Sequence, residues 1–249
     1  MNVYLVIEYD GTDYCGWQIQ PNGASVQEEL QRALFKLTGE KISVTGSGRT
    51  DSGVHAAGQT ASFSVGKENI PPENYAPALN GLLPKDIRVL KSGRAPDGFN
   101  ARFSAKRKTY RYTFYVSAVE RPLYERYAVR TLPLDTEKMR AAAAALVGEK
   151  DFKCFCAANS SVKDTVRTLY SLEVERRGDF ITVTACGNGF LYNMVRIVAG
   201  TLAAAGEGKL SVEDVKKIVE GGKRAEGKTM PAKGLCLLSV EYGGALHNI

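Results

Sequence analysis

Strands and helices follow one another in each half of the chain in the order β-α-β-β-α-β, the plan of a ferredoxin-like unit. Period-two alternation marks the strands, and capping residues followed by apolar stripes of period 3.6 mark the helices. These observations predict an α/β protein of the α+β type. The expected form is two ferredoxin-like, RNP-like lobes with mixed, mainly antiparallel sheets and a basic cleft between them. The 249 residues suit two such lobes. The turn-rich passage at 98–106 divides them at about 1–103 and 104–249.

The run from Asn2 to Asp10, apolar over Val3-Tyr4-Leu5-Val6-Ile7, reads as a buried first strand. The loop after it holds the single tryptophan, Trp17, read as a plug over the core rather than a base-stacking ring. Ser25 and Glu28 stand at capping-box spacing and open a helix. That helix puts Val26, Leu30, Ala33, Leu34 and Leu37 on one stripe, and Gly39 ends it. Residues 41–45 and 57–65 read as strands. In the second of these, Ala61, Phe63 and Val65 alternate with Ser62 and Ser64, which predicts one buried face. A short helix over 74–83 is bounded by Pro71-Pro72 and Pro84, and 86–91 is a strand.

In the second half, a strand starts at Thr109. Tyr110, Tyr112, Phe114 and Val116 share one face, and Thr109, Arg111, Thr113 and Tyr115 the other. Tyr112 and Phe114 belong in the core. Tyr110, at the strand's start beside Lys106-Arg107-Lys108, suits base stacking, as on RNA-binding sheets. Asp135 caps a helix rich in alanine that ends at Gly148. Cys154 and Cys156 fall in an irregular stretch and read as packing residues. Residues 168–175 and 180–185 form a hairpin around Arg176-Arg177-Gly178-Asp179. Residues 190–202 are almost entirely apolar and long enough for a buried helix, and the single arginine among them, Arg196, needs a carboxylate or phosphate partner unless it reaches the surface. A helix over 211–220, a basic loop over 223–233 and a strand over 235–242 complete the chain.

A hydrophobic share of 44% excludes wholesale disorder. The net charge of +6 and pI near 9.0 favour a polyanionic partner. Five cysteines without a Cys-x-x-Cys argue against a disulfide framework or a Cys-based zinc site and fit a reducing cytosol. With His55 and His247 as its only histidines, the chain offers no His-rich metal site. No stretch reaches the roughly 18 apolar residues of a membrane helix, and the start does not read as a signal peptide. The sequence predicts a cytoplasmic location.

The densest chemistry lies at 46–56. Gly46, Gly48 and Gly53 form a loop that carries Arg49, Thr50 and Asp51 in a row. Such residues commonly close turns. An aspartate, with an ordinary pKa of about 3.9, is also a ready nucleophile at neutral pH. Arg49 would keep it charged. The loop lacks the third glycine of a dinucleotide fingerprint and the Gly-Lys-Ser/Thr of a P-loop.

Gly48-Arg49-Thr50-Asp51-Ser52-Gly53-Val54-His55-Ala56 resembles the signature of the tRNA pseudouridine synthase I family, the TruA type. Further matching segments follow in order. They are Tyr9-Asp10-Gly11, Gly16-Trp17-Gln18, Leu79-Asn80 with Leu83-Pro84, Phe99 with Ala101-Arg102-Phe103, Tyr110-Arg111-Tyr112, Asp151-Phe152 and Gly189-Phe190-Leu191 with Met194-Val195-Arg196. Asn193 departs from the pattern, where many members have His.

The resemblance implies an isomerase that turns uridine into pseudouridine in the anticodon stem-loop of tRNA. It implies Asp51 as the catalytic nucleophile, attacking uracil C6 or ribose C1′, with Arg49, Arg196 and Tyr110 binding the substrate. Tyr110 would stack on the flipped base or assist loss of the C5 proton. Arg102, Lys106, Arg107 and Lys108 are candidates for RNA contact. The resemblance also implies a homodimer with tRNA as partner. It implies no cofactor, which agrees with the missing nucleotide, metal and flavin motifs. Two rival classes stay open: a non-catalytic RNA-binding protein that tolerates Asp51→Asn, and a phosphate-handling enzyme that binds nucleotides.

Overall fold

A computed structural model describes residues 1–157, 162–221 and 228–244. Part of the basic loop over 223–233, and His247, lie outside the described residues. The elements run β1 (Asn2–Tyr9), α1 (Val26–Thr38), β2 (Thr45–Gly46), β3 (His55–Ser64), α2 (Tyr75–Asn80), β4 (Ile87–Arg94) and β5 (Ala105–Val116). There follow β6 (Val129–Thr131), α3 (Thr136–Ala144), β7 (Gly148–Asp151), β8 (Val166–Arg177) and β9 (Phe180–Gly187). Last come α4 (Met194–Gly206), α5 (Val212–Gly221) and β10 (Leu235–Tyr242). The fold is α+β, and its strand pairs are mainly antiparallel.

The chain forms two compact units, 1–108 with 237–249, and 109–236. The division falls inside β5 and inside β10, so the end of the chain returns to the first unit.

In the first unit β1 lies between β4 and β3, antiparallel to both, and β10 follows β3. Val3 pairs with Phe63 and Leu5 with Ala61. Val3, Leu5, Ile7, Leu30, Leu34, Phe63, Leu79 and Ile87 are buried together as its core. Helix α1 starts where expected: Ser25 Oγ accepts from the Glu28 amide at 3.3 Å. It stops at Gly39, whose φ is 72°.

Two expectations change here. Residues 41–44 are not a strand, and only Thr45–Gly46 pairs with β3. Side chains of α1 take the place of a ladder: Gln31 Oε1 accepts from the Val44 amide, and Gln27 Nε2 donates to the Val44 carbonyl. Strand β3 is covered on both faces, since Ser62 is as buried as its neighbours and accepts from the Ala101 amide at 3.1 Å.

In the second unit β5, β9, β8 and β7 lie side by side. Strand β6 runs parallel to β5, with Phe114 opposite Val129. Tyr112 and Phe114 are fully buried, as alternation requires of a core-facing strand. Tyr115, on the other face, is fully buried too, because its hydroxyl meets Glu125 and the Arg121 amide from the segment that follows. Cys154 is buried, and burial pushes its thiol up to about 11.

Helix α4 is apolar nearly all round and packs against α3. It begins at Met194, later than the apolar run, because Asn193 holds φ at 60° and breaks the helical backbone there. Gly148 opens strand β7 rather than simply ending the preceding helix.

Candidate active site

The loop over 46–56 leaves β2, turns, and enters β3. Two contacts hold Thr50. Its hydroxyl bonds the Tyr9 hydroxyl at 2.7 Å in a buried setting, and its carbonyl accepts from the Trp17 amide at 3.0 Å. The amide of Gly53 donates to the Tyr14 carbonyl, and the Val54 amide closes a turn onto the Asp51 carbonyl at 3.1 Å. Trp17 is 3% exposed, in keeping with the plug reading, and its ring lies against Gly46.

Gly16 passes directly over Thr50. A Cβ there would stand 2.4 Å from the Thr50 carbonyl oxygen, and φ at Gly16 is 91°. Both the space and the backbone conformation therefore require glycine. His55 is buried under the loop, with Nδ1 3.1 Å from the Gly11 amide and 3.1 Å from Asp10 Oδ1. This ties the histidine to the loop's frame.

The limb ahead of Arg49 is held equally closely. Ser47 donates from its amide to the Thr60 carbonyl at 2.7 Å and from its hydroxyl to Gln59 Oε1 at 2.5 Å. Gln59 Nε2 donates to the Gly48 carbonyl at 3.0 Å. Lys108 Nζ donates to the Ser47 carbonyl at 2.7 Å. Asp51 is thus half-buried on a backbone fixed on both sides, while Arg49 is exposed. Both features suit a carboxylate presented to a substrate by a rigid frame.

Arg49 and Asp51 belong to the first unit, and Tyr110 and Arg196 to the second. Tyr110 is 8% exposed, with its ring edge-on to Phe190 at 5.1 Å between centroids. Arg196 is half-buried on α4. Its Nε donates to the Met230 carbonyl at 2.6 Å and its Nη1 to Asn193 Oδ1 at 2.7 Å. Asn193 is thus a direct partner of Arg196. Tyr112, whose hydroxyl donates to the Pro231 carbonyl, has its phenol pushed well above the usual range by burial, an effect that the Arg196 charge partly offsets.

Of the four basic candidates in the first unit, Arg102, Lys106 and Arg107 are exposed. Arg102 lies over the exposed ring of Phe103 at 5.6 Å. Lys108 differs: burial first, and the Arg102 charge second, lower its amine to about 8.

Three supports of the loop escaped the sequence reading. Tyr9 looked like the end of a strand, and Lys108 like the last member of a basic run suited to RNA contact. Gln59 did carry a signal, a polar residue in register with the inward series Ala61, Phe63 and Val65. Among the described residues no cluster of His, Cys, Asp and Glu is arranged to hold a metal ion, and no helix is long and apolar enough to cross a membrane.

A family model described as tRNA pseudouridine synthase matches residues 5–104 and 142–243. The tRNA pseudouridine synthase A of Citrifermentans bemidjiense is 49% identical over 245 residues, covering 97% of each chain. The protein of that name from Geobacter sp. strain M21 is 48% identical, over 97% of this chain and 98% of its own. That from Thermoanaerobacter sp. strain X514 is 44% identical, over 97% and 99%. The loop bearing Asp51, the strand bearing Tyr110 and the helix bearing Arg196 are therefore features of a chain that belongs to the tRNA pseudouridine synthase family.

Proposed function

We propose that this protein isomerises uridine to pseudouridine in the anticodon stem-loop of tRNA, with Asp51 as the nucleophile. Family membership over nearly the whole chain supports the reaction. The observation that carries the residue assignment is the fixed backbone around Asp51, tied through Thr50 to Tyr9 and Trp17 and through Ser47 and Gly48 to Lys108 and Gln59.

The reaction breaks the bond from uracil N1 to ribose C1′ and makes one from C5 to C1′. The proton leaves C5 and N1 gains one, so the exchange is balanced without oxidant, hydrolysis or external energy. Asp51 adds to C6 or to C1′ and is released at the end. Arg49 keeps the carboxylate charged. Tyr110 and Arg196 bind the substrate nucleotide, Tyr110 as a stacking ring or as an aid to removal of the C5 proton. Extrusion of the target base costs a few kcal/mol, which contacts of Arg102, Lys106 and Arg107 with the RNA backbone offset. The protein acts in the cytoplasm as a homodimer.

The test is to incubate unmodified tRNA transcripts with the protein and map pseudouridine by primer-extension stops after carbodiimide treatment. Stops confined to the anticodon stem-loop are expected. Their absence, or stops only in other arms, would contradict the assignment.

A further inference from the structure

Lys106, Arg107 and Lys108 form one basic run, yet the fold separates the third from the first two. Lys106 and Arg107 are exposed. The Lys108 amine instead donates to the Ser47 carbonyl at 2.7 Å, in a setting buried enough to depress its pKa to about 8. The next carbonyl, that of Gly48, is taken by Gln59 Nε2, and Gln59 is fully buried. These are consecutive carbonyls, and Arg49-Thr50-Asp51 follows them directly.

Space has been left for this contact. A Cβ on Gly48 would lie 2.9 Å from Lys108 Nζ, so a side chain there would push against the ammonium. Beneath, the hydroxyls of Ser47 and Thr60 bear on the Tyr242 hydroxyl, which donates to the Ala101 carbonyl at 2.8 Å. A desolvated cation bonded to a backbone carbonyl is a strong, directional contact, and it is poorly placed to meet a phosphate.

We propose that Lys108 is a positioning residue for Asp51: with Gln59 it clamps the Ser47 and Gly48 carbonyls and so fixes the limb of the loop that presents the nucleophile. This rests on the reading of Asp51 as nucleophile. Lys108 acts through the backbone of the loop and makes no contact with the RNA.

The test compares wild type, Lys108→Met and Gly48→Ala, the last keeping the lysine but crowding its amine. Two quantities are read: the single-turnover rate of pseudouridine formation at saturating protein, and the dependence of tRNA Kd on salt. The rate should fall at least about tenfold in both variants, since small displacements of a reacting group are costly. The slope of log Kd against log salt should stay at its wild-type value, whereas loss of a phosphate contact lowers it by about one. The double variant should be no slower than the slower single variant, because both act on one contact.

A wild-type rate in Lys108→Met, a slope reduced by about one, or additive losses in the double variant would overturn the proposal. Asp51→Asn run alongside separates the two readings. A wild-type rate in that variant sinks the nucleophile assignment whatever the Lys108 variants do.

Discussion

Arg196 Nη1 donates to Oδ1 of Asn193 at 2.7 Å, and Asn193 is the only non-glycine among the described residues with a positive φ, 60°. One residue therefore ends the loop ahead of α4 and holds the guanidinium of its lone arginine.

The two duties of Asn193 separate by substitution. Asn193→Gly keeps the left-handed backbone and loses the acceptor, at a cost of about 1.5–3 kcal/mol for a bond to a charged group. Asn193→Ala loses the acceptor and adds about 1–2 kcal/mol of backbone strain. Urea unfolding should rank wild type above the Gly variant and the Gly variant above the Ala variant. Equal stability of the two variants would show that the backbone at 193 carries no strain.

Gly16→Ala should damage the first unit from a position outside the loop itself. Its φ of 91° costs an alanine about 1–3 kcal/mol. The new methyl must also displace the Thr50 carbonyl, 2.4 Å away. We expect a lower melting temperature together with slower pseudouridine formation. An unchanged melting temperature would contradict the close approach of residues 16 and 50.

Lys108 makes stability depend on pH in an unusual direction. Its amine is held at about 8 in the folded protein, against about 10.4 for an ordinary lysine. Between these values the unfolded chain binds more protons than the folded one, so this group's contribution to stability rises with pH. Below about 8 both states are charged, and the cost of burying the cation is paid in full. Tyr14, Tyr112 and Tyr242 have raised pKa values, so their contributions are lost only as pH rises past about 10. Urea unfolding at about pH 7.5 and 9.5 should show wild type gaining stability relative to Lys108→Met. Parallel behaviour would contradict the burial of the amine.

Much of this was legible in the sequence because local chemistry decided it. Ser25 and Gly39 bound α1, alternation put Tyr112 and Phe114 inside, and the Gly-rich loop carried its own signal. Where long-range partners decided, the sequence was mute. Residues 41–44 have the composition of a strand, yet at Val44 it is Gln27 and Gln31 of α1 that take up the backbone amide and carbonyl. Strands β6 and β7 are too short to show a period. Lys108 reads like its two neighbours until Ser47, far away in sequence, is brought beneath it. The helix at α4 starts late for a reason no periodicity contains, the left-handed backbone of Asn193.

The role proposed for Asp51 is that of nucleophile in a uridine isomerisation. Its most direct test is tritium release from tRNA labelled at uridine C5, comparing wild type with Asp51→Asn while tRNA binding is measured for both. We expect release by wild type, none by Asp51→Asn, and equal binding. Release by Asp51→Asn at the wild-type rate, or no release by either protein with tRNA still bound, would contradict it.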